Sequence, residues 1–189
     1  VISNRTIFMT SNAKYMEYFN VLWKHSLACA YAAQATAQQI NLKSSNEIFL
    51  MGLFHDIGKT MLLQIISEME KNNKIEGEVD LASVQKTVVA HSNKFGASLM
   101  KKWKFPEVYF NIVIYNEHLA DADPITKELL VINFANLLSK SMGYDENPQE
   151  AIDLENAHST KLLSLNSSVI EDIKGKVSNS MNELTGIVV

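Results

Sequence analysis

Apolar side chains recur every three or four positions over most of the chain, which is the spacing of one face of an α-helix. The first such stretch covers residues 15–40, and its second half is crowded with alanine, the best helix former. The recurring face of this stretch consists of Phe19, Leu22, Trp23, Ser26, Leu27 and Ala30. Only 7 Gly and 3 Pro punctuate the 189 residues, too few for the closely spaced turns of an all-β fold. The pattern therefore predicts an all-α protein.

Polar breaks divide the rest of the pattern into further helices. Ser44 and Glu47 have the spacing of a capping box before a helix that is apolar nearly all round and that reaches His55-Asp56. We expect Gly58 to end or bend that helix. Asp80 is expected to cap a helix to about Ala90, and a separate helix is expected over residues 91–103. Later helices are predicted to start near Pro106, Asp123-Pro124, Asn147-Pro148 and Ser168, where Ser168 and Glu171 have capping-box spacing. Because no linker, repeat or low-complexity tract interrupts the pattern, residues 1–189 are predicted to form one domain.

Composition and charge narrow the functional classes. The chain has 17 Lys+Arg against 21 Asp+Glu, a net charge of −4, so it has no positive footprint for nucleic acid and is not a basic membrane-surface protein. No apolar run reaches the length of a transmembrane helix. The single cysteine, Cys29, excludes an intramolecular disulfide and a multi-cysteine zinc site, and it fits a reducing compartment. We expect a cytoplasmic protein that binds neither nucleic acid nor a membrane.

The candidate chemistry begins with the adjacent pair His55-Asp56. An imidazole nitrogen and a carboxylate at one point suit a divalent transition metal. Neighbouring residues diverge by about 100° on a helix, so the pair can share an ion only where the helix ends or bends. His25, His91 and the stretch Tyr115-Asn116-Glu117-His118 fall at helical segments whose apolar faces should meet. Each histidine alone is better explained as an ordinary core or surface residue, whereas the set favours a site.

These residues carry a resemblance to a known family. Trp23-Lys24-His25-Ser26 and Gly52-Leu53-Phe54-His55-Asp56-Ile57-Gly58-Lys59 resemble the HD superfamily of helical metal-dependent phosphohydrolases. Three later segments narrow the resemblance to the HDOD family, and they are His91-Ser92-Asn93-Lys94-Phe95-Gly96-Ala97, Trp103-Lys104-Phe105-Pro106 and Ile114-Tyr115-Asn116-Glu117-His118. The resemblance implies an HD-like domain of orthogonally packed helices. It also implies a regulatory or signal-transduction role, related to HD-GYP cyclic-dinucleotide phosphodiesterases but generally without their full catalytic set.

The resemblance also assigns roles to residues. His25, His55 and Asp56 match the first three metal ligands of an active HD enzyme, and Lys59 matches a lysine placed to meet a substrate phosphate. The alternative for Lys59 is an ordinary surface lysine at a helix start. HDOD domains normally carry several helices before the first of these motifs, so the resemblance implies that this chain lacks the N-terminal helices of the family.

Two departures weaken the implied site. Ala135-Asn136-Leu137-Leu138 stands where the family pattern has Ala-Asp-x-Leu, and a neutral amide replaces a carboxylate there. Asn116 and Glu117 stand where HD-GYP-like sites have paired histidines. Even so, His25, His55, Asp56, His91 and Glu117 together suffice for a mononuclear iron, zinc, nickel or manganese site. The alternatives are a metal held only for structure, or a dry pocket whose histidines bond to Asp56.

These observations lead to one preferred function and two others. The preferred reading is a regulatory HDOD-type domain with a degenerate metal site, which binds a protein partner or a small phosphorylated ligand. A divergent phosphohydrolase acting on nucleotides or cyclic dinucleotides is the alternative, and a helical binding module without metal is a third option. We also expect Ile7, Phe8, Tyr15, Tyr18 and Phe19 to leave an apolar patch that a homodimer could cover.

Overall fold

The computed structural model describes residues 12–77, 79–145 and 152–186, and those residues form α-helices and no strand. The helices are α1 (Ala13–Gln39), α2 (Ser45–Phe54), α3 (Ile57–Lys71), α4 (Leu81–Lys102), α5 (Glu107–Tyr115), α6 (Lys127–Ser141), α7 (His158–Leu162) and α8 (Ser167–Gly186). A 3-10 turn, Leu119–Asp121, lies between α5 and α6. The predicted all-α class is confirmed.

Helix α1 is the centre of the arrangement. It packs along α2, α6 and α8, while α3 packs on α4 and α4 on α5. Its alanine-rich half is buried almost completely, as the predicted small-residue face requires. Helix α2 approaches α1 closely at Gly52, where a Cβ would lie 2.8 Å from the Cα of Ala30. The small residues therefore let α1 and α2 approach closely.

Helix boundaries confirm some predicted caps and correct others. The Asp80 side chain accepts a hydrogen bond from the Ser83 backbone N–H at 2.9 Å, as predicted. Ser44 does not cap α2 with its side chain, because its backbone is left-handed with φ 64°. The C-terminal helix begins at Ser167, and the Asn166 side chain accepts from the Val169 N–H at 3.0 Å, so Ser168 is inside the helix.

Two further predicted helix boundaries change. Helix α4 is continuous through 90–91, because no glycine or proline breaks the pattern there. Helix α6 begins after Asp123-Pro124, where Thr126 caps it through the Leu129 N–H. The start predicted at Asn147-Pro148 lies outside the described residues.

The bend that the sequence assigned to Gly58 lies instead at His55-Asp56, between α2 and α3. Gly58 is in the first turn of α3, where a Cβ would lie 2.0 Å from the Ser92 carbonyl oxygen of α4. Gly96 faces it, since a Cβ on Gly96 would lie 3.0 Å from the Gly58 Cα. The two glycines therefore permit α3 and α4 to cross closely.

The expected apolar patch near the start of the chain is absent from its described part. Tyr15, Tyr18 and Phe19 are 0%, 4% and 1% exposed and pack with residues of α3 and α4. Ile7 and Phe8 lie outside the described residues. The prediction was wrong for the three aromatic residues because α3 and α4 cover this face of α1. The structure therefore offers no reason at these three residues for a homodimer.

One stretch, Ser45–Lys71, is long and apolar enough to cross a membrane when judged by length and composition alone. The inner helices of soluble proteins pass the same test. Here 61% of the apolar window is buried inside the fold, and the bend at His55-Asp56 interrupts the stretch. The burial is that of core helices, as the sequence pattern predicted for α2.

Candidate metal centre

Three side chains that the sequence singled out meet where α1 passes the bend between α2 and α3. His25 lies on α1, His55 directly follows α2, and Asp56 directly precedes α3. The two Nε2 atoms are 3.2 Å apart, and Asp56 Oδ2 lies 3.7 Å from His25 Nε2 and 3.5 Å from His55 Nε2. All three residues are buried. The bend brings the adjacent residues His55 and Asp56 to one point, as a shared ion requires.

Hydrogen bonds at the Nδ1 atoms of His25 and His55 set the tautomer of each ring. His25 Nδ1 lies 2.6 Å from the Tyr144 carbonyl oxygen, and His55 Nδ1 lies 2.7 Å from the Gly52 carbonyl oxygen. Because a carbonyl only accepts, each Nδ1 must carry the proton and donate it. In its neutral form each ring then presents an unprotonated Nε2 to the other ring and to Asp56, which is the tautomer of a metal-binding histidine.

Burial holds His25 in this neutral form. Its pKa is lowered to about 4, first by burial and then by the neighbouring His55, against a smaller opposite effect of Asp56. At neutral pH the ring is therefore uncharged, and its inner nitrogen has a free lone pair.

Lys59 supplies the positive charge closest to the carboxylate. Its Nζ lies 2.9 Å from Asp56 Oδ2, and both side chains are buried. Burial acts to raise the pKa of Asp56, but the Lys59 ammonium and the two histidines outweigh it and hold that pKa well below its usual value. Asp56 is therefore ionised, and Lys59 takes the place of a counter-ion beside the donor cluster.

The donor set fits a divalent transition metal. His25, His55 and Asp56 each offer one ligand atom, and these atoms lie within 4.8 Å of one another. Two imidazole nitrogens and a carboxylate oxygen converge, and in the neutral tautomer protonated at Nδ1 neither nitrogen can donate to the other or to Asp56. A cation satisfies such a set of acceptors, and nitrogen and oxygen ligands of this kind suit zinc, iron, nickel or manganese.

The structure does not bring His91 or Glu117 into this cluster. His91 is exposed on α4, because the buried face of that helix contains Ser92, one position and about 100° further around. Glu117 is 30% exposed at the side chain and pairs with Lys140 at 2.8 Å. Burial and Asp56 act to raise the pKa of Glu117, but Lys59 and Lys140 outweigh them and lower it. Of the five residues predicted as metal ligands, the structure thus brings three together.

Asparagines form a second buried polar group, which joins α6 to the C-terminal end of α5. Asn136 Nδ2 donates to Asn116 Oδ1 at 3.0 Å, and Asn116 Nδ2 donates to the Ile112 carbonyl at 3.1 Å. Asn133, one turn before Asn136, donates to the Asn116 carbonyl oxygen at 2.5 Å. Asn116 and Asn136 are buried, and Asn136 Oδ1 has no hydrogen-bond partner among the described residues. The two asparagines that depart from the family pattern therefore bond to each other.

Sequence reasoning missed Asn133 and the Tyr144 carbonyl. Asn133 had one signal, since it is a polar residue a helical turn from Asn136 in an otherwise apolar stretch. The carbonyl had almost none, because every residue carries one. The only hint was Gly143, which follows the helical pattern of α6 as a C-terminal stop.

Comparison with known proteins agrees with this fold. The fold is that of an HD-like helical domain. The HDOD domain family model matches residues 2–119, more than half of the chain. The chain belongs to the HDOD domain family. No curated protein sequence matches it significantly.

Solved structures share the arrangement at low sequence identity. A protein from Shewanella amazonensis, named as a metal-dependent phosphohydrolase, is 18% identical in sequence and has a TM-score of 0.70. The matched region covers 95% of this chain and 65% of that protein's chain. An HDOD domain protein from Geobacter sulfurreducens is 18% identical in sequence and has a TM-score of 0.62. The matched region covers 90% of this chain and 62% of that protein's chain. The chain thus spans slightly less than two thirds of these two proteins.

A third similar structure is a complete HD domain. The HD domain of the L. monocytogenes phosphodiesterase PgpH, in complex with cyclic-di-AMP, is 17% identical with a TM-score of 0.50, covering 95% of this chain and all of its own. At this identity the likeness concerns the fold.

Proposed function

We propose that this HDOD domain is a regulatory module with a reduced metal site, which binds a protein partner or a small phosphorylated ligand and does not hydrolyse it. The observation that carries the proposal is the buried hydrogen bond between Asn136 and Asn116. These are the positions at which the family resemblance implies further metal ligands. Their amides are neutral and bond to each other, so the site keeps donors only on the side of α1, α2 and α3.

The remaining donors would hold one metal ion. His25 and His55 would bind it through Nε2, and Asp56 would bind it through Oδ2, the atoms that already converge. A bound divalent metal supplies Lewis acidity toward a phosphoryl oxygen and a bound water of lowered pKa. The protein keeps the two imidazoles neutral and oriented through their Nδ1 hydrogen bonds. The loss of a carboxylate at Asn136 leaves less negative charge to balance the ion.

The position of Lys59 also supports a binding role. In the family resemblance this lysine meets a substrate phosphate, but here its ammonium is buried against Asp56. It would have to leave that carboxylate to contact a ligand. A metal ion bound by Asp56 would compete with Lys59 for the same oxygen, so metal binding would make the ammonium available to an anionic ligand.

The alternative is a divergent phosphohydrolase acting on nucleotides or cyclic dinucleotides. The surviving His25, His55 and Asp56 cluster favours it, together with Lys59 beside the cluster. The similar structures add that one is named a metal-dependent phosphohydrolase and another is a phosphodiesterase HD domain bound to cyclic-di-AMP. The cytoplasmic setting stays a proposal, supported by the free thiol of buried Cys29.

The first experiment measures the metal content of the purified protein by mass spectrometry. The test variant combines His55→Ala with Asp56→Ala, and His91→Ala is the control because that histidine is exposed. We expect near-stoichiometric metal in the wild type and the control, and its loss in the double variant. Equal metal in all three proteins, or none in any, would remove the metal site from the proposal.

The second experiment separates regulation from catalysis. The metal-loaded protein is incubated with cyclic-di-AMP and with nucleoside phosphates, and products are followed by chromatography while calorimetry follows binding. We expect no turnover above that of the double variant. Metal-dependent turnover that the double variant lacks would overturn the regulatory proposal in favour of the phosphohydrolase.

A further inference from the structure

The C-terminal end of α6 is a tight turn that requires a glycine. The Gly143 N–H donates to the Lys140 carbonyl, and the Tyr144 N–H donates to the Ser139 carbonyl, both at 3.0 Å. Gly143 has φ +84°, in the left-handed region. These two bonds and this conformation make a Schellman motif, which fixes the direction of the chain after the helix.

The turn directs one backbone carbonyl at a candidate metal ligand. The Tyr144 carbonyl oxygen lies 2.6 Å from Nδ1 of His25, which is 119 positions away in sequence. This bond sets both the tautomer and the rotation of the His25 ring, so it aims Nε2 at His55 Nε2 and at Asp56.

The two histidines are therefore oriented by different means. His55 Nδ1 bonds to the carbonyl of Gly52, three residues earlier on the same helix, so α2 alone orients that ring. His25 depends on a turn that belongs to another helix. A change at the turn should consequently affect His25 and leave His55 as it is.

We propose that Gly143 is a positioning residue for the metal centre, because its left-handed turn holds the Tyr144 carbonyl against His25. The proposal rests on the proposed function in taking His25 as a metal ligand. The turn itself touches no other member of the cluster through a hydrogen bond that the structure shows. Gly143 thus acts on the donor set through a single bond to Nδ1.

The chain offers a matched control for this proposal. Gly77 has φ +86°, and a Cβ at Gly77 would meet nothing within 4 Å, as is also true at Gly143. Gly143→Ala and Gly77→Ala therefore introduce the same backbone strain without a steric clash. Gly77 lies in the loop between α3 and α4, so Gly77→Ala reports the effect of strain alone. Gly143→Asn is the conservative variant, since asparagine tolerates this conformation better than alanine.

The deciding measurement is the imidazole nitrogen NMR spectrum of the metal-free protein. In the wild type, Gly77→Ala and Gly143→Asn, we expect His25 to be protonated at Nδ1. In Gly143→Ala we expect His25 to lose this single tautomer, while His55 keeps its own. A His25 signal that is the same in Gly143→Ala as in Gly77→Ala would overturn the proposal.

Zinc titration then links the turn to the metal. Loss of a group that orients a metal ligand typically lowers metal affinity by about 10- to 100-fold, and we expect this for Gly143→Ala alone. Unchanged zinc affinity in Gly143→Ala would count against the positioning role. If the wild type binds no metal, the proposed metal site fails, while the nitrogen spectra still decide whether Gly143 positions His25. If Gly143→Ala does not fold, Gly143→Ser is compared with Gly77→Ser in its place: loss of the single His25 tautomer in Gly143→Ser alone supports the role, and a His25 signal that is the same in both variants overturns it.

Discussion

Two buried polar groups of the molecule, the His25-His55-Asp56 cluster and the asparagines between α5 and α6, differ in how they are satisfied. On the side of α1, α2 and α3, His25, His55 and Asp56 present three acceptors to one point. On the side of α5 and α6, Asn116 and Asn136 bond to each other through side-chain amides. Both sides are buried, so each must satisfy its polar groups without much help from water.

For the reduced metal site that we propose, this difference would explain how ligands are lost without loss of the fold. An amide has both donors and acceptors, so the Asn136 amide can donate to the Asn116 amide in a buried position without a cation. Two histidines in the neutral tautomer protonated at Nδ1 and a carboxylate cannot do this, because their inward atoms only accept. The His25-His55-Asp56 cluster therefore needs a cation, and in the metal-free protein Lys59 supplies the positive charge. The amide side needs none, so the carboxylate could be exchanged for an amide there at little cost to folding.

The largest effect is expected when the positive charge of Lys59 is removed from beside Asp56. Breaking a buried ion pair typically costs about 3–5 kcal/mol, so Lys59→Met should lower the free energy of unfolding of the metal-free protein by about that amount. Metal affinity should rise in the same variant, because nothing then competes for Asp56. Urea unfolding and zinc titration measure the two quantities.

Lys174→Met is the control for that variant, since Lys174 pairs with Glu171 on the surface at 2.7 Å. Surface pairs contribute at most about 1 kcal/mol. A loss of stability in Lys59→Met no larger than in this control would show that Lys59 is not the counter-ion of the cluster.

The next largest effect is expected on the amide side. Asn116→Ala removes the acceptor of the Asn136 amide, and a buried donor left without a partner costs about 1–3 kcal/mol. Metal affinity should stay within about twofold of the wild type, since none of the three donors is touched. Asn156→Ala, at an exposed asparagine, controls for the substitution. A large fall in metal affinity in Asn116→Ala would mean that the two sides are not separate.

A smaller effect on stability is expected when a carboxyl group is returned to the amide side. Asn136→Asp should bring metal affinity up by about tenfold, because an anionic oxygen suits a divalent ion better than a neutral amide. It should cost the metal-free protein about 1–2 kcal/mol, the penalty of burying a carboxyl group that takes up a proton or stays charged.

Asn133→Asp tests whether that gain depends on position. It introduces the same charge one helical turn away on α6. An equal gain in affinity in both variants would mean that any nearby negative charge is sufficient, and that Asn136 does not occupy a ligand position.

The smallest effect is expected at Glu117, whose side chain is partly exposed. Glu117→Gln removes the ion pair with Lys140, which is partly exposed, so the free energy of unfolding should fall by about 1 kcal/mol or less. Metal affinity should not change, because Glu117 is directed at Lys140 instead of the donor cluster. A fall in metal affinity of tenfold or more would return Glu117 to the ligand set that the sequence predicted.

The sequence predicted the helices well because their apolar spacing is regular, and it located the bend two or three residues too late. Gly58 suggested a break, but its actual role is to let α4 approach, and that contact with Ser92 is not visible in the sequence around Gly58. The helix α4 was predicted in two pieces because a cluster of polar residues at its middle resembles a boundary.

The site was predictable where its residues are adjacent and harder to predict where rotation about a helix decides. His55 and Asp56 are neighbours, and their shared position followed from the bend. His91 and Ser92 are also neighbours on α4, but only one of them can face the core, and the sequence does not say which. The pairing of Asn116 with Asn136 depends on how α5 and α6 are rotated, so the substitutions were visible but their hydrogen bond was not.

The bond between His25 and the Tyr144 carbonyl also has a kinetic consequence. It joins positions 119 residues apart, whereas His55 is oriented by a carbonyl three residues away. Contacts between distant parts of a chain form slowly, because the intervening loop must first lose its conformational freedom. We therefore expect His55 and Asp56 to be arranged early in folding and His25 to join them only after α6 has docked, so that the complete donor set is among the last features the folding chain acquires.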